Sequence, residues 1–169
     1  MRLFLSINIP RNLHQYCKQL QNQYPDLKKS DQFHTTLQFL GDDIESANRI
    51  IDELNKITFT SFEIEMGNVE PFGHTNNIRG VWINCKNNDA LNKLSDNIRR
   101  VMGNLGYISD YPFTPHITLG RYKNPPTKKP DLLKGEPYKF SVDNFYLMQS
   151  TLTALGPNYK IIESFSAKN

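Results

Sequence analysis

No stretch of the 169-residue chain approaches the roughly 18 consecutive apolar residues that a bilayer span requires. Strand-like alternation begins at Arg2, with no basic, apolar and small-residue leader before it. Neither a membrane anchor nor a secretion signal is therefore expected, and the cytoplasm is the expected compartment. Cysteine is scarce: Cys17 and Cys85 are the only two. Both fall at core-facing positions and read as buried free thiols rather than a disulfide or a reactive pair, which suits a reducing cytosol. Charge of one sign is also in short supply. The net charge of +3 and pI of about 8.8 fall well below the footprint of a protein that coats nucleic acid, so a local anionic ligand fits better. His-Glu-x-x-His, Cys-x-x-Cys and carboxylate clusters with ligand spacing are missing, as is a Walker-type phosphate loop. No metal, cofactor or nucleoside triphosphate is expected.

What the chain does contain is ordinary globular material, 38% hydrophobic and 22% charged. Leu3, Leu5, Ile7 and Ile9 alternate with a second partly apolar set, which predicts a mostly buried strand. After Pro10, the spacing of Leu13, Cys17 and Leu20 predicts a helix. Phe33 to Leu40, closed by Gly41, reads as a second strand. Asp42 and Asp43 are placed to cap a helix through Ile44, Ala47, Ile51 and Leu54, and Phe62, Ile64 and Met66 alternate as a half-exposed strand. The same order then returns. Val81, Ile83 and Cys85 make a strand, and Leu91, Leu94, Ile98, Met102 and Leu105 form the best helical stripe, stopped by Gly106. Pro115 to Tyr122 makes a further strand. Tyr122 to Pro137 reads as a surface loop, with Phe140 to Leu152 and Tyr159 to Phe165 as closing strands. An internal duplication explains the repeated strand, helix and strand. The expected fold is α+β: one domain, residues 1–169, of two pseudo-symmetric lobes whose antiparallel sheets face a central cleft, with helices packed outside.

The second strand of each repeat carries the chemistry: His34-Thr35-Thr36-Leu37 in one, His116-Ile117-Thr118-Leu119 in the other. On an extended strand, residues i and i+2 share a face about 7 Å apart, so each His and its following Thr point the same way. Two such strands facing each other can hold a phosphodiester. Both Thr hydroxyls donate to it, one imidazole takes a proton from water, and the other protonates the departing oxygen. Histidine serves either task because its ordinary pKa is about 6.5. One His-x-Thr means little; two in equivalent places of a duplicated unit carry weight.

With Arg2-Leu3-Phe4, His34 to Gly41, Pro115 to Arg121, Gln149-Ser150 and Gly156-Pro157-Asn158-Tyr159, the chain resembles the two-histidine phosphoesterase superfamily almost end to end. It is most similar to the RNA 2',3'-cyclic phosphodiesterase branch, also called 2'-5' RNA ligases. The resemblance implies hydrolysis of a terminal 2',3'-cyclic phosphate on RNA or a nucleotide to a 2'-phosphate. It implies His34 as donor to the leaving oxygen, His116 as the base for water, and Thr36 and Thr118 as phosphate ligands. It further implies that Arg121 holds phosphate or RNA and that Phe72 lies near the cleft, where it stacks on a base or anchors a loop. Strict alternation puts Arg121 opposite His116, so a bulge or the strand end must redirect it. Thr35 departs from the pattern, which usually has an apolar residue there.

His14 and His74 are expected to stand outside the chemistry, and Lys123, Lys128 and Lys129 to belong to a solvated loop that can attract RNA. The expected partners are RNA ends or nucleotides bearing a 2',3'-cyclic phosphate, met by a monomer. Two alternatives stay open: 2'-5' RNA ligation, which reverses the same proton transfers, and a non-catalytic nucleotide- or RNA-binding module on this fold.

Overall fold

The computed structural model describes residues 1–169. Along the chain come β1 (Arg2–Asn8), α1 (His14–Gln21), β2 (Leu27–Lys29), β3 (His34–Gly41), α2 (Asn48–Leu54) and β4 (Phe62–His74). They are followed by β5 (Asn77–Cys85), α3 (Asp89–Asn104), β6 (His116–Tyr122), β7 (Lys139–Val142), β8 (Asn144–Thr153) and β9 (Gly156–Ser166). The strands form two antiparallel sheets, ordered β3-β1-β8-β9 and β2-β6-β5-β4-β7.

Laid side by side, β3-β1-β8 matches β6-β5-β4, and Asn8 pairs with His34 as Asn84 pairs with His116. The duplication is therefore present in the backbone, but it is permuted. The strand corresponding to β4, which precedes β5, is β8, which comes near the end of the chain. Phe140 to Leu152 accordingly splits at Asp143: β7 joins β4 in the second sheet, whereas β8 joins β1 in the first.

The helices cross over between lobes. α1 packs on β6, and α3 packs on β3 and β4. In α3, the Asn88 side chain accepts from the Leu91 N–H at 3.1 Å to cap the first turn. Leu91, Leu94, Ile98, Val101 and Met102 form its buried stripe. It ends in a Schellman pair, Tyr107 N–H to Met102 C=O and Gly106 N–H to Gly103 C=O, with Gly106 at φ +92°. That turn feeds residues 107–115 toward the motif strands. A continuous cluster of 33 buried residues joins both sheets and the helices. Removing a wholly buried member such as Ile83 costs about 2–5 kcal/mol if replaced by Ala.

Residues 42–47 depart from expectation, because the helix starts at Asn48 with Ala47 as its uncapped N-terminus. Ile44 exchanges two hydrogen bonds with Met1 instead, which draws this segment to the end of β1, and Asp42 lies 3.4 Å from the Arg2 Nε. β4 runs on to His74, past the Met66 at which alternation ends in the sequence. Phe62 to Glu65 pair with β7 and Met66 to His74 with β5, the latter with a register shift between Met66 and Val69.

Candidate active site

β3 and β6 share one burial sequence over their first six residues, half-buried, buried, half-buried, buried, buried, exposed. His34, Thr36, His116 and Thr118 are the half-buried positions; Thr35, Leu37, Ile117 and Leu119 turn into the core. Two buried residues in a row mark a change of phase, and the registers locate it. Leu5 pairs with Gln38 but Ser6 with Thr36, leaving Leu37 as an extra residue. Likewise Val81 pairs with Gly120 but Trp82 with Thr118, leaving Leu119 extra. Each motif therefore carries a bulge immediately after its Thr. Beyond it, Phe39 and Arg121 swing to the side of the histidines. The second bulge is tied down from α1, where the buried Gln21 donates from Nε2 to the Leu119 carbonyl at 2.8 Å.

A cleft of about 840 Å³ opens between the motifs, lined by His34, Thr36, His116, Thr118 and Arg121. The redirection of Arg121 anticipated from alternation is thus accomplished by the bulge at Leu119. Phe72 does not line this cleft. Its ring stacks on Trp82 at 4.7 Å, covers Gly80, and carries the Arg121 guanidinium 5.3 Å from its centre. His14 is engaged with the Ile9 carbonyl at 2.9 Å, and His74 closes β4 at a hairpin; neither lines the cleft. Lys123, Lys128 and Lys129 also lie outside it, whereas Lys28, Lys29 and Arg99 border it.

The two imidazoles sit in unlike surroundings. His34 lies between the rings of Phe4 and Tyr159, each 5.3 Å away. Burial, and after it the nearby His116, pushes its pKa down to about 4. His116 stacks on Trp82 at 4.0 Å, and its Nδ1 lies 2.7 Å from the Thr114 carbonyl. A carbonyl only accepts, so Nδ1 carries a proton, and Nε2 is the lone-pair nitrogen of the neutral ring. Burial lowers the His116 pKa, the Thr114 carbonyl opposes that shift, and Arg121 adds to it. Arg121 is itself depressed by burial and by Arg79, while Tyr159 stabilises its charge.

Trp82, which the sequence does not single out, and Tyr159, which it marks only within Gly156-Pro157-Asn158-Tyr159, are cleft residues in contact with the two imidazoles. Trp82, the only tryptophan, lies directly across from Thr118 on the neighbouring strand. Its Nε1 donates to Glu70 at 3.1 Å. Period-two alternation on β5 marks a face for Trp82, but only the register with β6 sets it against His116. Tyr159 arrives from β9, far along the chain.

Comparison with known proteins identifies the family and the fold. The family model for the 2'-5' RNA ligase superfamily matches residues 9–153. An RNA 2',3'-cyclic phosphodiesterase of Methanocaldococcus jannaschii is 31% identical, covering 98% of this chain and all of the relative. One of Thermotoga maritima is 33% identical over 78% of this chain and 74% of its own length. Among solved structures, TT0787 of Thermus thermophilus superposes with a TM-score of 0.86 at 25% identity, over 98% of this chain and 97% of the other. E. coli LigT complexed with 3'-AMP gives 0.84 at 20% identity, over 99% and 98%, a likeness of fold.

Proposed function

Because the chain belongs to the 2'-5' RNA ligase superfamily, we propose that it hydrolyses terminal 2',3'-cyclic phosphates of RNA or nucleotides to 2'-phosphomonoesters. Membership supports a 2',3'-cyclic phosphodiesterase or a 2'-5' ligase type of activity. The observation that carries the finer reading is the convergence of His34, Thr36, His116, Thr118 and Arg121 on one cleft. The similarity to relatives that are RNA 2',3'-cyclic phosphodiesterases supports it as well.

In this reading the cyclic phosphate lies between the motifs, its free oxygens accepting from Thr36, Thr118 and Arg121. Neutral His116, with Nδ1 engaged by Thr114, takes a proton from water through Nε2 as the water oxygen bonds to phosphorus. The bond from phosphorus to O3' breaks, and His34 delivers a proton to O3'. The products are a 2'-phosphate and a 3'-hydroxyl. His34 is left neutral and His116 protonated, and exchange with solvent resets them. Burial holds the pKa of His34 at about 4 in the free protein, and the bound anion raises it toward the protonated form that the donor needs. As the imidazolium forms on His116, the face of Trp82 stabilises it.

Both histidines lie in one chain, so a monomer suffices, and the free buried thiols of Cys17 and Cys85 fit a reducing cytoplasm. No helix is long and apolar enough to cross a membrane. No group of three His, Cys, Asp or Glu side chains gathers in the fold, so the stabilising charges in the proposal are those of imidazolium and Arg121. The test is product analysis on RNA ended in a cyclic phosphate, in EDTA, with and without an RNA bearing a 5'-hydroxyl. A 2'-phosphate in both arms is expected. Loss of activity in EDTA with recovery on adding a divalent ion would overturn the metal-free mechanism. A joined product in preference to hydrolysis would favour the ligase.

A further inference from the structure

Thr35 stands between His34 and Thr36 but faces the core, 1% exposed. Its Oγ1 accepts a hydrogen bond from the backbone N–H of His116 at 3.2 Å. We propose that Thr35 is a positioning residue, whose hydroxyl couples the two motif strands through the His116 amide and so sets the spacing of the two imidazoles. The proposal rests on the phosphodiesterase reading above.

The direction of the His116 amide follows from the sheet. Cys85 donates its N–H to the Pro115 carbonyl at 3.1 Å, so Pro115 turns its carbonyl toward β5. Along a strand the polar groups of successive residues alternate in direction, and the His116 N–H therefore points away from β5. On that side β6 is covered by β2 only from Gly120 onward, where Lys29 is its partner, with Ser30 donating to Leu119. At His116 the ladder has run out. The N–H would be an orphan donor beside the reacting centre, and such a group is costly when water is excluded.

Thr35 fills that place from the opposite lobe. It is held on both sides, since its backbone pairs with Ile7 in β1 and its branched Cβ restricts the rotation of the hydroxyl. The bond thus runs between the residue next to one imidazole and the residue bearing the other. Ile117, the corresponding residue of the second motif, is apolar and makes no such bond, so the coupling is one-sided.

The experiment compares wild type with Thr35→Val, Thr35→Ser and His116→Ala, reading turnover of a 2',3'-cyclic nucleotide and hydrogen exchange of the His116 amide. Misplacement of a reacting group by about 1 Å costs up to about 100-fold in rate. Thr35→Val should therefore lower kcat by about 10- to 100-fold with KM within about threefold, and its His116 amide should exchange at least about tenfold faster. Thr35→Ser, which keeps the acceptor, should recover most of both. Melting curves establish that each variant is folded; if Thr35→Val is not, Thr35→Ala carries the same expectation. A folded hydroxyl-free variant with kcat within twofold of wild type overturns the proposal. So does a Ser variant as impaired as the Val variant, or an unchanged His116 exchange rate. If wild type turns over no cyclic nucleotide, or His116→Ala matches it, the phosphodiesterase reading fails instead, and amide exchange alone decides the role of Thr35.

Discussion

β3 and β6 are near copies in backbone and opposites in dress. Each offers a His and a Thr to the cleft, bulges at the following Leu, and turns the next outward residue to the same side. In β6 that residue is Arg121; in β3 it is Phe39, 60% exposed. Opposite Thr118 stands Trp82, and opposite Thr36 stands Ser6. The Nδ1 of His116 donates to a carbonyl, whereas the ring of His34 is held by aromatic contacts. The duplicated backbone explains why there are two histidines at one cleft. The unlike neighbours give two chemically equal groups different proton affinities, since burial pushes the His34 pKa down to about 4, whereas the lowering of His116 by burial and Arg121 is opposed by the Thr114 carbonyl.

The largest effect should come from the histidines themselves. Each Ala substitution is expected to lower turnover by about 10²- to 10⁴-fold. The two should then part company on a p-nitrophenyl phosphodiester, whose leaving group needs no proton. His34→Ala is expected to be partly rescued and His116→Ala not; the opposite pattern would exchange their roles. Next come Thr36→Ala and Thr118→Ala, each losing one hydrogen bond to a charged oxygen, about 1.5–3 kcal/mol, or about 10- to 150-fold in kcat/KM. If both variants behave like wild type, the threonines serve the sheet and not the phosphate. Smaller still is Trp82→Leu. Loss of a stacked ring is worth about 0.5–1.5 kcal/mol, so kcat should drop about 2- to 10-fold, while Ser6→Ala in the matching position should change it less than twofold.

Two measurements against pH bear on the same contrast. Both histidines hold protons less tightly than usual, and kcat/KM reports the free enzyme, so its bell-shaped maximum should lie below pH 6.5. A maximum above pH 7.5 would show that other groups titrate. Stability should move the same way. The folded pKa of His34, about 4, lies below the ordinary 6.5 of the unfolded chain, so between these values the unfolded state binds more protons. The contribution is complete above about pH 6.5 and is lost as the pH falls through about 4. Relative to His34→Gln, wild type should lose more of its melting temperature between pH 7 and pH 4; parallel curves would contradict the burial of His34 as the cause.

Much of this site can be read from residues. The two His-x-Thr segments are conspicuous because period-two alternation assigns both side chains to one face, and the helical stripe of α3 because its apolar spacing is regular. The awkward position of Arg121 already requires a bulge, yet nothing in the local sequence says that Leu119 is the inserted residue, because a bulge belongs to a pair of strands. The contacts of Trp82 with His116 and of Tyr159 with His34 are hidden for the same reason: they arise from pairing, not from neighbourhood in the chain. The late start of α2 is a competition that two good Asp caps lose to the Met1–Ile44 hydrogen bonds. The break at Asp143 coincides with a change of phase, from Phe140 and Val142 to Phe145 and Leu147, which alternation alone reads as a bulge in one strand as readily as a change of sheet.

The permuted order of the lobes has a consequence for how the chain comes to life on the ribosome. The central strands of the second sheet lie within one contiguous stretch, from Phe62 to Val142, and can pair while synthesis continues. The first sheet cannot close in that time. Its second interior strand, β8, lies between β1 and β9 and is made more than a hundred residues after β1. Until it emerges, β1 carries β3 as a lone hairpin-like pair with one edge bare, and such a pair is marginal in water. Contacts so distant in sequence are also slow to form. The His34 half of the histidine pair is thus the last to be set. A nascent or truncated chain that ends before Asn144 would hold its His116 strand in a sheet and still have no rigid partner to face it.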